Sequence, residues 1–179
     1  EGWFQGTNIG PMLTFTNGTV TVAASSALTV IGGAAGPTES NDVMVGTASA
    51  NRLFGLGGND TLNGLDGNDT LNGGSGADCM DGGNGNDFFH VDNALDLVLE
   101  AGGGGLDTVS TSVSFTMPNH VEQIMIAAGV TGITITGSSG ADIIIGNWLA
   151  NNFNGGAGDD IILAQNIAVQ DILALFAFP

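Results

Sequence analysis

Positive charge is nearly absent from this sequence. One arginine, Arg52, and no lysine stand against 18 acidic residues, so the formal net charge of the 179-residue chain is -17. Because such a charge repels phosphate groups, we expect neither nucleic acid nor an anionic membrane surface as a partner. Fourteen of the acids are Asp, and most of them stand beside glycines in turn-like segments. This arrangement indicates cation sites rather than a solvated acidic surface.

Cysteine and long apolar runs are also scarce. The single Cys79 excludes an intramolecular disulfide framework, and no apolar run approaches the roughly 20 residues that a membrane-spanning helix needs. The chain begins at Glu1 without Met or a basic segment, so we expect no N-terminal secretion signal and either a processed mature protein or a piece of a larger one.

Glycine and aspartate instead recur in a strict order. Six nine-residue units run without a gap over residues 37–90, and the four from Gly55 onward have Gly first and fourth, Asp sixth and a large apolar residue eighth. This is the nonapeptide pattern of calcium-binding β-solenoids. In each unit six residues turn and three form a short strand, whose eighth side chain enters the core. We therefore expect an all-β fold, a parallel β-roll or β-solenoid.

The extent of the repeat divides the chain into three predicted parts. Residues 1–36 form a β-rich head with a hairpin turn at Asn17-Gly18, residues 37–163 form the roll, and residues 164–179 form an apolar cap or a secretion signal. The roll is regular over 37–110, irregular over 111–136 and regular again over 137–163. The alternative to a single roll is two solenoid blocks that flank a small β insert.

The stacking of the units predicts where cations bind. If two units complete one coil, Asp60 lies above Asp78 and Asp69 above Asp87, and carboxylates this close repel each other unless a cation lies between them. The same rule pairs Asp42 with Asp60 and Asp142 with Asp160. If the eleven-residue stretch 91–101 only lengthens one turn, it also pairs Asp78 with Asp96 and Asp87 with Asp107. Asn51 stands opposite Asp69 and predicts a weak or empty site.

The ligands in these turns would all be oxygen atoms. Glycines at the first, second and fourth positions allow backbone carbonyls to point toward the aspartates, and such a set favours Ca²⁺ over the more demanding Mg²⁺. The predicted metal-binding residues are Asp42, Asp60, Asp69, Asp78, Asp87, Asp107, Asp142 and Asp160, with Gly73, Gly74, Gly76, Gly82, Gly83 and Gly85 in the turns between them.

These units resemble the RTX repeats (repeats-in-toxin) of secreted bacterial proteins. The resemblance covers residues 37–163 and includes the run HVDNALDLVLEAGGGGLDTVSTSVSFTMPNHVEQIMI, followed by GSSGADIIIGNWLANNFNGGAGDDIIL. It implies a parallel β-roll with calcium between successive turns, and export by a type I system that reads an uncleaved C-terminal signal. The sequence departs from the repeat at Asn51, Asn151 and residues 111–136.

No catalytic pattern accompanies the repeats, and we expect no enzyme activity. The histidines His90 and His120 lack zinc-site spacing, and no serine lies in a nucleophile-elbow context. The leading hypothesis is a secreted or cell-surface bacterial protein with a structural or adhesive role, which binds several Ca²⁺ ions and associates head-to-tail with itself or with a matrix component. The alternatives are the calcium-folding export module of a larger secreted enzyme and a free extracellular calcium buffer.

Overall fold

The computed structural model describes residues 41–164, together with the backbone of three earlier strands at 13–16, 19–22 and 28–31. The predicted turn at Asn17-Gly18 and the apolar tail beyond residue 164 lie outside the described residues.

Short strands, each of two to four residues, form the whole of the regular structure in the described part. In chain order they are β1 (Leu13–Thr16), β2 (Thr19–Val22), β3 (Leu28–Ile31), β4 (Val43–Val45), β5 (Asn51–Phe54), β6 (Thr61–Asn63), β7 (Thr70–Asn72), β8 (Cys79–Asp81), β9 (Phe88–Val91), β10 (Leu97–Leu99), β11 (Thr108–Thr111), β12 (Phe115–Thr116), β13 (Gln123–Ile126), β14 (Thr134–Thr136), β15 (Ile143–Ile145), β16 (Asn152–Asn154) and β17 (Ile161–Leu163). Among these residues, none forms a helix with the length and hydropathy that a membrane crossing requires.

Parallel pairing winds the strands into a β-solenoid of about 7 turns. One sheet has eight strands in the order β17-β15-β13-β11-β9-β7-β5-β3, and a second has six in the order β1-β2-β4-β6-β8-β10. Leu62 pairs with Met80 and Leu71 with Phe89, so that each residue meets its counterpart in the next unit but one. Two nonapeptides therefore complete one coil, and the predicted parallel β-roll is confirmed.

The core lies between the sheets, and in the regular units from Gly55 to His90 it consists of the eighth residues. Leu62, Leu71, Met80 and Phe89 are 0% exposed. Alternation of side chains along each strand turns the seventh and ninth residues outward, and Cys79, a seventh residue, is half-buried. Stacking of like side chains from coil to coil thus supplies the apolar burial that a glycine-rich chain could not obtain within a single coil.

The two faces of the roll differ in continuity. The six-stranded sheet ends at β10, and a separate three-stranded sheet, β12-β14-β16, begins after it. The eight-stranded sheet runs through the irregular middle because its turns absorb the change in length. Thr108 pairs with Phe88 across a coil longer than two nonapeptides, and with Gln123 across a coil shorter than two nonapeptides.

The strands of the predicted head extend the sheets of the roll. β1 and β2 pair antiparallel, while β2 pairs parallel with β4 and β3 pairs parallel with β5. These three strands are therefore part of the sheets of the solenoid. The boundaries assigned to the head, the roll and the tail stay a prediction.

Candidate metal sites

The aspartates in sixth position form a hydrogen-bonded column beside the six-stranded sheet. The backbone N–H of Asp42 donates to Oδ1 of Asp60 at 2.8 Å, and that of Asp60 donates to Oδ1 of Asp78 at 2.7 Å. The N–H of Asp78 donates in turn to Oδ1 of Asp96 at 3.1 Å. The predicted stacking of these four aspartates is confirmed.

A second column runs beside the eight-stranded sheet. Its backbone N–H groups donate from Asn51 to Asp69 at 2.6 Å, from Asp69 to Asp87 at 2.7 Å and from Asp87 to Asp107 at 2.8 Å. The N–H of Asp107 then donates to Oε2 of Glu122 at 2.9 Å. The pairing of Asp87 with Asp107, across a lengthened turn, is as predicted.

The second carboxylate oxygen of five of these aspartates lacks a partner among the described residues and therefore favours a bound cation. The Oδ2 atoms of Asp60, Asp69, Asp78, Asp87 and Asp107 are buried and have no hydrogen-bond partner among the described residues, and the side chains are at most 2% exposed. A buried charged oxygen without a partner is costly. A divalent cation beside each Oδ2 would remove this cost, so the residues present fit a bound metal.

Glycine in first position leaves the space for that cation. A Cβ atom on Gly64 would meet Oδ2 of Asp69 and would lie 2.6 Å from the carbonyl oxygen of Gly82 in the next coil. The space in front of Oδ2 is thus bounded by a carboxylate and a carbonyl from adjacent coils. Oxygen atoms of these two kinds are the ligands that Ca²⁺ takes in flexible geometry.

The second and fourth glycines allow the coils to stack closely. Gly74 and Gly76 have φ angles of +86° and +144°, and Gly83 and Gly85 have +95° and +130°. A Cβ on Gly76 would collide with the backbone of Gly58 one coil earlier. The predicted glycines therefore set the turn conformation and the spacing between coils.

Burial raises the pKa of the five aspartates whose Oδ2 lacks a partner in the described part of the chain. The pKa of Asp69 rises to about 7 and that of Asp78 to about 6, mainly because burial disfavours the charged form, and neighbouring carboxylates raise both further. The pKa of Glu100 rises to about 8 through burial and then through the charges of Asp107 and Asp87. A metal ion that binds these carboxyl groups would displace the protons that they otherwise hold.

Three turns are closed in a different way, by a polar second residue. In each of these nonapeptides the side chain of the second residue hydrogen-bonds to that of the sixth. In the central turns the sixth residue is the aspartate whose Oδ2 has no partner within the described residues. The pairs are Thr47 with Asn51, Ser138 with Asp142 and Asn147 with Asn151. In the four regular units from Gly55 onward the second residue is Leu or Gly and offers no such bond.

The Asp142 turn illustrates the difference. Asp142 stacks on Asp160 as predicted, with a 3.1 Å hydrogen bond from its N–H to Oδ1 of Asp160. Its own Oδ2, however, accepts hydrogen bonds from the N–H and Oγ of Ser138 at 2.6 and 3.1 Å. The carboxylate of Asp142 is therefore satisfied by protein groups, and the demand for a cation is weaker here than in the central turns.

Two acidic residues join these columns although the repeat does not predict them. Glu122 accepts the N–H of Asp107, and Glu100 lies beside Asp87 and Asp107, with one oxygen of each of these three carboxylates within 4.8 Å of the others. Glu122 lies outside the nine-residue phase, whereas Glu100 is in phase and stands where the repeat has glycine. The available signal for Glu100 is its place two nonapeptide lengths after Gly82, in the column of first-position glycines.

Stacked oxygen-lined turns in a parallel solenoid define a calcium-binding β-roll. Comparison with protein-family models supports this class directly, since residues 38–71, 54–89 and 132–162 match the RTX calcium-binding nonapeptide repeat, in four copies. The chain belongs to the proteins that carry this repeat, and Ca²⁺ is the ion that such repeats bind. Neither the curated proteins nor the solved structures gave a match.

Proposed function

We propose that this protein is a secreted or cell-surface structural protein of bacteria whose folding is switched on by extracellular calcium. The observation that carries the proposal is the set of five buried Oδ2 atoms, which belong to Asp60, Asp69, Asp78, Asp87 and Asp107 and lack hydrogen-bond partners within the described residues. Without cations, the folded chain must hold these carboxylates close together and out of water, so the metal-free fold is strongly disfavoured.

The residues of each turn act together in this switch. The first-position glycine leaves the space for the cation. Oδ1 of the aspartate accepts a hydrogen bond from the backbone N–H of the preceding coil, and Oδ2 would contact the ion. Calcium supplies the positive charge that lets two such coils stack. Extracellular calcium-binding modules have dissociation constants of about 0.1–1 mM, so the chain stays unfolded at the much lower calcium concentration of a cytosol and folds after release.

An assembly role is supported by the last coil. Ile162 occupies an eighth position, whose counterparts Leu71 and Phe89 are 0% exposed, yet it is itself 43% exposed. Its strand, β17, is the terminal strand of the eight-stranded sheet among the described residues. The far end of the roll differs, with β1 and β3 as its edge strands. Two dissimilar ends favour head-to-tail contact between copies, which produces open chains.

Circular dichroism of the full chain tests the calcium switch. We expect a disordered spectrum in a chelator and a β spectrum on addition of Ca²⁺, with a midpoint of about 0.1–1 mM. Magnesium at the same concentration is the matched control and should act weakly, because it demands a tighter octahedral site. A β spectrum that is the same with and without chelator contradicts the proposal.

Light scattering of the calcium-loaded chain tests the assembly role separately. We expect the apparent mass to rise with protein concentration in calcium and to fall again in chelator. A calcium-folded chain that stays monomeric at high concentration refutes self-assembly and favours the export module of a larger secreted enzyme instead.

A further inference from the structure

Glu100 occupies a position that the repeat reserves for glycine. Gly46, Gly64 and Gly82 follow one another at intervals of two nonapeptides, and Glu100 is next in the series. The backbone keeps the same register, since Gly64 N donates to Asp81 O at 2.8 Å and Gly82 N donates to Leu99 O, the residue before Glu100, at 3.4 Å. Glu100 is therefore a first-position residue that carries a side chain.

A side chain at this position points into a metal site. The Cβ direction of Gly64 leads to Oδ2 of Asp69, and the Cβ direction of Gly82 leads to Oδ2 of Asp87. The latter direction also meets Oε1 of Glu100. The carboxylate of Glu100 thus lies in the space that the glycines of the regular turns leave open.

Three carboxylates converge there, and protein groups satisfy their oxygens only in part. Asp87 and Asp107 are 2% and 0% exposed, and their Oδ2 atoms lack hydrogen-bond partners among the described residues. Both carboxylate oxygens of Glu100 are also buried, and apart from the backbone of the adjacent Ala101 they have no hydrogen-bond partner within that set of residues. Oxygens of the three groups lie within 4.8 Å of one another. Such a group needs a multivalent cation more than any two-carboxylate turn does.

The site lies where the roll changes from regular to irregular. Glu100 directly follows β10, the last strand of the six-stranded sheet, while Asp87 and Asp107 directly precede β9 and β11 of the continuous sheet. The N–H of Asp107 in turn donates a hydrogen bond to the carboxylate of Glu122, which precedes β13. An ion bound by these carboxylates would connect the last regular coil to the first irregular one.

We propose that Asp87, Glu100 and Asp107 form a three-carboxylate calcium site that fixes the later part of the roll, residues 100–163, onto the coils before it. The proposal rests on the calcium-dependent folding proposed above. Because a larger number of charged ligands strengthens calcium binding, this is the tightest site of the chain and fills first as calcium rises. Glu100 is the ligand that distinguishes it from the repeat sites.

The test compares Glu100→Gln and Glu100→Gly with Asp66→Asn in the full chain. Gln keeps the shape of the side chain without its charge, Gly restores the repeat residue, and Asp66→Asn removes an exposed acid at a third position. Calorimetric titration with CaCl₂ should show the tightest binding event of the wild type weakened about tenfold or more in both Glu100 variants, since a lost ligand costs at least as much as a lost outer partner. Asp66→Asn should leave it unchanged.

Hydrogen exchange locates the effect. At a calcium concentration that saturates the repeat sites, β11 and β13 should exchange faster in both Glu100 variants, while β6 and β7 keep wild-type protection. Titrations of both variants that superimpose on the wild type overturn the proposal, and so does loss of all β structure in both variants, because β6 and β7 do not depend on Glu100. A wild type that folds without calcium refutes the proposed function instead.

Discussion

Replacement of Asp78 measures how much of the stability depends on one column residue. Oδ1 of Asp78 accepts the N–H of Asp60 at 2.7 Å, and its buried Oδ2 is unpartnered among the described residues. Asp78→Ala leaves the N–H of Asp60 without that acceptor, at a cost of about 1.5–3 kcal/mol for a hydrogen bond to a charged group. It also removes a calcium ligand.

The calcium contribution follows from mass action. One site with a dissociation constant of about 0.1–1 mM contributes about 1.4–2.7 kcal/mol at about 10 mM Ca²⁺. Asp78→Ala should therefore lower the free energy of unfolding by about 3–6 kcal/mol in total. Asp78→Asn keeps an oxygen acceptor but loses the charge, so it should lose only the calcium contribution.

Urea unfolding at the same calcium concentration, followed by circular dichroism, measures these differences, and calorimetry counts the ions. The control is Asp66→Ala, which removes an exposed acid at a third position and should change the free energy of unfolding by less than about 0.5 kcal/mol. If Asp66→Ala and Asp78→Ala prove equally destabilising, the assignment of Oδ2 as a calcium ligand is wrong.

Three further outcomes are expected. Because burial raises the pKa of Asp69, Asp78 and Asp107 and raises that of Glu100 to about 8, the metal-free fold binds more protons than the unfolded chain. β structure in chelator should therefore increase as the pH falls from about 8 to about 5, and a calcium-free spectrum independent of pH contradicts this. Leu71→Ala should destabilise the calcium-loaded fold by about 2–5 kcal/mol, whereas Ile162→Ala, at the same repeat position but 43% exposed, should cost less than half as much by urea unfolding. Ser138→Gly should remove the hydroxyl donor from Oδ2 of Asp142, leave only the backbone N–H at that oxygen and add one calcium to the calorimetric stoichiometry, and an unchanged stoichiometry would show that the hydroxyl does not control this turn.

The period of the repeat made most of the fold predictable. Leu62 and Phe89 are buried because alternation in a strand and a two-unit coil fix which side faces inward, and these rules depend only on spacing. Asp107 could be placed in its column for the same reason, since an insertion within a turn does not change the strands that follow it. The parallel roll and the stacked aspartates follow from this arithmetic.

The remaining features depend on side chains that depart from the consensus residues of the repeat. Glu100 enters a site from a glycine position, and the longer side chain of Glu122 takes the place of an aspartate before β13. Conversely, Asp142 matches the repeat, yet the backbone N–H and the hydroxyl of Ser138 both donate to its second oxygen. A spacing rule identifies which residues stack. It does not show whether a protein donor or a cation occupies a given carboxylate oxygen.

The two-unit coil has a consequence for how such a chain changes in length over evolution. Duplication or deletion of a pair of nonapeptides keeps every later strand on its own face, and a change of one nonapeptide moves each aspartate into the other column, which is built from the same unit. Smaller changes are absorbed in turns, as the longer and shorter coils on either side of Thr108 demonstrate. The length of the roll can therefore be adjusted by unequal recombination, about 4.8 Å for each coil gained or lost, while both ends keep their sequence.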